Sequence, residues 1–155
     1  MLVLIADDCD EGREVLRAFL EMKGHDVVEA RDGGEALERA RLERPGLILM
    51  DISMPVMDGL AAARELRKDT STRHLPIIAL SAHFGEGWKA EALAAGCDDY
   101  LPKPCDFDRL EASMGQVTRS RRDGSAGGCA RRPVRGAPRH GTRAKPLVRR
   151  PGSSE

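Results

Sequence analysis

No apolar run in the sequence approaches the roughly 20 residues that span a bilayer. The opening run Leu2-Val3-Leu4-Ile5-Ala6 is too short for a signal-peptide core and has no basic segment before it. A cytoplasmic protein without membrane insertion is the expectation. Cys-x-x-Cys pairing is also missing. Cys9, Cys97, Cys105 and Cys129 are scattered singly, so neither a zinc site nor a disulfide framework is indicated and the four stay as thiols. No internal repeat is visible. Net charge is absent too, with 25 Lys and Arg against 25 Asp and Glu. That balance hides two different materials. Residues 1–118 carry 14 basic and 23 acidic side chains, a net of −9, whereas residues 119–155 carry 11 and 2, a net of +9.

The second segment holds almost nothing apolar beyond Val134, Leu147 and Val148 and mixes Arg121-Arg122, Arg131-Arg132 and Arg149-Arg150 with glycine, proline and serine. A chain that buries no apolar surface cannot offset its ordering entropy, so 119–155 is expected to be a disordered basic tail. It is too poor in apolar residues for a helix-turn-helix. Its arginines leave nucleic acid or an acidic partner open as ligands, because clustered arginine attracts phosphate without reading sequence. They also leave open a salt-dependent contact with the acidic domain, or no role beyond a solvated linker.

What is present in residues 1–118 is an alternation. Leu47-Ile48-Leu49-Met50 is a continuous apolar run of the kind found in a parallel strand covered on both faces. It ends in Asp51 and then in Ser53-Met54-Pro55-Val56-Met57-Asp58-Gly59, a loop shaped by proline and glycine. Leu2 to Ala6, ending in Asp7-Asp8, repeats the pattern. So do Pro76 to Leu80, ending in Ser81-Ala82, and Tyr100-Leu101, ending in Pro102-Lys103-Pro104. Val27-Val28 makes a short further strand. Between the strands run helical stripes: Val15, Leu16, Phe19, Leu20 and Met22 up to Gly24; Ala36, Leu37, Ala40 and Leu42 up to Pro45; Leu60, Ala63, Leu66 and Arg67. Trp88, Leu93 and Ala94 precede Gly96, and Phe107, Leu110, Met114 and Val117 form the last stripe. Five strands alternating with five helices predict an α/β fold, a doubly wound parallel sheet with helices on both faces.

Open sheets of this kind carry their chemistry beyond the carboxyl ends of the strands. The residues predicted there are Asp7, Asp8, Asp51, Ser81 and Lys103. Crowded carboxylates repel by about 4 kcal/mol per pair at an effective dielectric of 20. A hard divalent cation resolves that conflict. Asp7 and Asp8 would supply its ligands, with Asp51 both ligand and nucleophile, since carboxylates form acyl phosphates. Lys103 and the Ser81 hydroxyl would hold the oxygens of a phosphoryl group in transfer. No His or Cys with a positioned partner stands at these strand ends, which favours accepting a group from an activated donor.

The acid pair Asp7-Asp8, the segment Asp51 to Gly59, the pair Ser81-Ala82 and the segment Ala95 to Pro104 together resemble the response-regulator receiver domains of two-component signalling, the single-domain chemotaxis-regulator type included. The likeness covers residues 2 to about 117, and four motifs in one order make it specific. It implies a flavodoxin-like sheet of order 2-1-3-4-5. It implies that Asp51 takes phosphate from a sensor histidine kinase or histidine phosphotransfer protein. Mg²⁺ or Mn²⁺ would be held by Asp8, Asp51 and the backbone carbonyl of Ser53, with Asp7 reached through water. Ser81, the backbone of Ala82 and Lys103 would bind the phosphoryl group, Ser81 and Tyr100 would be a switch pair, and Pro104 would follow a cis peptide bond. The domain would be a monomer or a weak phosphorylation-dependent dimer, catalysing only its own phosphorylation and dephosphorylation, and an unspecified partner would read the fourth helix, fifth strand and fifth helix.

Competing readings remain for single residues. Aspartates at strand ends often cap helices, Ser81 could cap the fourth helix, Tyr100 could be strand filling, and His83 could be an exposed loop residue or touch the phosphoryl group. Cys9 is read as packing, because neighbouring carboxylates oppose thiolate formation. Trp88 is expected on the output face. A Mg²⁺-dependent phosphohydrolase is the enzymatic alternative. Haloacid dehalogenase-type enzymes, however, place a second Asp two residues after the nucleophile, where this chain has Ser53.

Overall fold

A computed structural model describes residues 1–83 and 85–123. Five parallel strands, β1 (Leu2–Ala6), β2 (Asp26–Ala30), β3 (Leu47–Asp51), β4 (Ile77–Ser81) and β5 (Asp99–Pro102), form one sheet of order β2-β1-β3-β4-β5. Helices α1 (Asp10–Met22), α2 (Gly33–Glu43), α3 (Gly59–Lys68), α4 (Glu86–Ala95) and α5 (Phe107–Arg122) alternate with them.

The sheet is buried because every residue of β3 and β4 is apolar except those that end them. Alternate side chains feed two cores. Leu4, Ile48, Met50, Ile77 and Ala79 pack under α2, α3 and α4, while Val3, Ile5, Leu49, Ile78 and Leu80 pack under α1 and α5 with Phe19 and Leu110. The reversal of strand order beside β1 and β3 opens a crevice at their carboxyl ends, which is where open α/β sheets hold ligands.

The helix faces differ in detail from the stripes. The buried face of α1 is Arg13, Leu16, Phe19 and Leu20, whereas Val15 and Met22 are solvent-exposed. Leu42 and Leu93 also face outward. In each case the face is set by what lies beneath the helix, and an apolar neighbour on the opposite side carries no positional information.

Helix α5 continues four residues beyond Thr118, correcting the expectation that order ends at residue 118. Arg121 supplies the reason. Its guanidinium pairs with Asp98 at 2.6 Å, and the opposite oxygen of Asp98 takes Arg67 at 3.0 Å and the Ile77 N–H at 2.9 Å. A segment counted as tail by composition is thus helical because one of its arginines has a half-buried partner. The expected disorder of the remaining tail lies outside the described residues.

Candidate functional site

Two strand ends, those of β1 and β3, bring Asp7, Asp8 and Asp51 together, with one oxygen of each lying within 4.8 Å of the others. None of the three is a helix cap. The N-cap of α1 is Cys9, without a side-chain bond, and α3 is capped by Asp58, which accepts from the Ala61 N–H at 2.8 Å. Capping therefore gives no reason for these carboxylates to be here.

Their environments differ. Asp7 is 1% exposed and both its carboxylate oxygens are engaged, Oδ1 by the Cys9 N–H at 2.8 Å and Oδ2 by Lys103 Nζ at 2.6 Å. Asp51 is the last residue of β3 and is 5% exposed, so burial continues through it instead of stopping before it. Its Oδ1 accepts from the Ser53 N–H at 3.2 Å and its Oδ2 faces Lys103 Nζ at 3.2 Å. Asp8 is exposed to solvent.

Burial pushes the Asp51 carboxyl up to about 6; the Lys103 charge opposes that rise and the Asp7 charge adds to it. Burial works against the Lys103 ammonium as well. The hydrogen bond it donates to Asp7 and the charges of Asp51 and Asp7 outweigh it and hold its pKa above the ordinary lysine value. Lys103 is thus a cation fixed between two carboxylates. The peptide bond from Lys103 to Pro104 is cis, as the resemblance implies.

The loop after β3 is held close. Gly59 donates its N–H to the Ile52 carbonyl at 2.9 Å, and any Cβ at this position would run into the carbonyl of Asp51. Only glycine permits α3 to start so near the end of the strand. Val56, at the tip, has φ +68 and is 92% exposed, a conformation that β-branched residues rarely adopt.

Ser81 is fully buried at the end of β4 and does not cap α4, whose N-cap is Gly85. Its Oγ instead accepts from the His83 N–H at 3.0 Å. The Tyr100 ring is buried, and its hydroxyl donates to the His83 carbonyl. One residue therefore holds both hydroxyls of the expected switch pair through its backbone. The imidazole of His83 lies at 3.4 Å from Ser53 Oγ and stacks on Trp88 with ring centroids 4.4 Å apart. His83 is exposed, yet it links the loop after β3 to α4, a role that its isolated position in the sequence does not signal. Sequence reasoning also missed Arg13, buried behind the acid pair. Its place three residues before Leu16, on the same helix face, was the available clue.

The donor set suits a hard divalent cation: three carboxylates offset by only one ammonium, with Asp8 open to solvent and accessible oxygen ligands. Beside it runs a groove of about 490 Å³ lined by Val15, Leu16, Pro104, Cys105 and Phe107. Among the described residues no helix is long and apolar enough to cross a membrane.

Comparison with known proteins agrees with this geometry. The family model for the response regulator receiver domain matches residues 3–114. The chain is 38% identical over 115 residues to the protein PilH of Pseudomonas aeruginosa, covering 74% of this chain and 95% of PilH. It is 37% identical over 117 residues to the response regulator PleD of Caulobacter vibrioides, covering 76% of this chain and 26% of PleD. The chain thus spans about a quarter of PleD and nearly all of PilH. Among solved structures it is similar to the receiver domain of the sensor histidine kinase PA1611 from Pseudomonas aeruginosa PAO1, which has a magnesium ion coordinated in its active site cleft. The TM-score is 0.71 at 35% identity, over 77% of this chain and 98% of that one.

Proposed function

The chain belongs to the response regulator receiver domain family, and on that premise we propose that it is a phosphoacceptor module in which Asp51 takes a phosphoryl group from a histidine kinase or histidine phosphotransfer protein. The observation that carries this reading is the buried Asp51 carboxylate, set at a strand end within reach of two further carboxylates and a fixed ammonium.

In the proposed reaction an Asp51 oxygen attacks phosphorus in line with the donor's P–N bond. The new P–O bond forms as the P–N electron pair returns to the donor imidazole. Bound Mg²⁺, held by Asp8, Asp51 and the Ser53 carbonyl with Asp7 behind them, would neutralise charge on the transferred group. Lys103, already within 3.2 Å of Asp51, binds a second non-bridging oxygen. The Ser81 hydroxyl and the Ala82 N–H take the third. To do so Ser81 gives up the His83 N–H, and because Tyr100 is tied to the same residue, the change passes to α4, β5 and α5, where a partner reads it. The apolar groove beside Phe107 gives a phosphohistidine-bearing protein a place to rest next to Asp51.

The test is phosphotransfer from purified, autophosphorylated histidine kinases and phosphotransfer proteins of the same cell. At least one donor should lose label to this chain within seconds to minutes, and Asp51→Asn should accept none. Label persisting in Asp51→Asn would sink the assignment. Turnover of small phosphate esters would favour a phosphohydrolase, a reading that Ser53 in place of a second Asp does not support.

A further inference from the structure

Arg13 is the one residue of α1 whose long charged side chain is buried, at 5% exposure, and the proposed chemistry gives it no role. One terminal nitrogen donates to the backbone carbonyl of Asp7 at 2.7 Å, a buried hydrogen bond, and the other pairs with the carboxylate of Asp10. Its Nε is buried without a hydrogen-bond partner; the nearest acid, Glu29 on β2, stands at 3.7 Å and also faces Arg17 at 3.6 Å. Burying a guanidinium with an unmet donor is costly and needs a compensating gain.

The gain lies in what the side chain holds. The Asp7 N–H is already fixed to the Ala30 carbonyl at 3.1 Å, and the Asp7 carboxylate is fixed by Cys9 and Lys103. The bond from Arg13 to the Asp7 carbonyl immobilises the remaining group, the peptide that joins Asp7 to Asp8. Its orientation sets the direction in which the solvent-exposed Asp8 side chain leaves the chain. The fork of a guanidinium is needed, because Asp7 O and the Asp10 carboxylate are held by different nitrogens.

We propose that Arg13 is a positioning residue for divalent-cation binding: by clamping the peptide between Asp7 and Asp8 from behind, it pre-aims Asp8 and so sets the affinity of the site for Mg²⁺. This rests on the phosphoacceptor reading above. It goes beyond that reading by placing a control of metal affinity on a residue that touches neither metal nor phosphate.

The experiment titrates the full chain with MgCl₂ by calorimetry and measures acetyl phosphate labelling of the same proteins against Mg²⁺ concentration. Arg13→Met and Arg13→Lys are each expected to weaken Mg²⁺ binding about 10-fold, the lower range for residues behind metal ligands. Labelling at saturating Mg²⁺ should stay near that of the unsubstituted chain, because Asp51, Lys103 and Ser81 are untouched. The lysine variant keeps the charge and fills most of the same volume, so it reports on the clamp even if the methionine variant folds poorly. Affinity within about twofold of the unsubstituted chain in folded Arg13→Lys would overturn the proposal. A chain that binds no Mg²⁺ even with Arg13 intact would overturn the phosphoacceptor reading itself, and this inference with it.

Discussion

The two ends of the parallel sheet are built from the same ingredients in opposite proportions. At the carboxyl ends of the strands Asp7 and Asp51 share one ammonium, Lys103, and the third carboxylate of the cluster, Asp8, faces solvent. At the amino ends of β4 and β5 a single carboxylate, Asp98, is shared by two guanidiniums, Arg67 and Arg121, and by the Ile77 N–H. Arg67 goes on to satisfy the carbonyls of Gly96, Arg73 and Leu75. The second cluster is closed, with the Asp98 oxygens and most donors of both arginines used inside the protein. The first is left acidic and partly open. A half-buried carboxylate with both oxygens paired ties elements together, whereas an under-neutralised cluster is left open to a cation.

The largest effect that separates the two is expected at the closed end. Asp98→Ala leaves two half-buried guanidiniums and a strand N–H without their partner, and should cost about 3 kcal/mol in urea unfolding, in the range for breaking a buried ion pair. Ending the chain after Thr118 removes Arg121 but keeps Arg67 on Asp98, so the loss should be smaller, about 1 kcal/mol.

At the open end the sign reverses. The Asp51 carboxyl rises from 3.8 to about 6 on folding, so the folded protein holds that proton more tightly than the unfolded chain. The resulting stabilisation is complete below about pH 4 and is lost as pH rises through about 6. At pH 7.5 in EDTA, Asp51→Asn should therefore raise stability, by about 1 kcal/mol, and it should flatten the decline between pH 4 and 6. A pH profile of urea midpoints for both proteins checks this. The smallest effect belongs to Val56, whose positive φ is strained. Val56→Gly should gain about 0.5 kcal/mol, the strain relieved less the entropy glycine brings to the unfolded chain, measured by thermal melting.

The contrast between the ends also explains what could be read from the sequence. The open end was legible because its residues stand directly after apolar strands: Asp51 after Met50, Asp7 and Asp8 after Ala6, Ser81 after Leu80. Strand order and the cis bond before Pro104 were implied by the family resemblance that these motifs carry. The closed end was not legible. Asp98, Arg67 and Arg121 lie on three segments far apart in sequence, and Arg121 looked like the first part of a basic tail. Arg13 escaped for a related reason: an arginine on an apolar stripe reads as solvated until the carbonyl it reaches is known. His83 gave no sign that its backbone would hold the hydroxyls of Ser81 and Tyr100, since a loop carries no periodic pattern to place it.

The most direct test of the account is to incubate the full chain with acetyl phosphate, with Mg²⁺ and with EDTA, and to map the modified peptide by mass spectrometry after borohydride trapping. The expected result is one reduced site, a homoserine in place of Asp51 left by hydride attack on its acyl phosphate, formed with Mg²⁺, absent with EDTA and absent in Asp51→Asn. Equal reduction in EDTA, or a reduced site at any other residue with Asp51 unmodified, would contradict it.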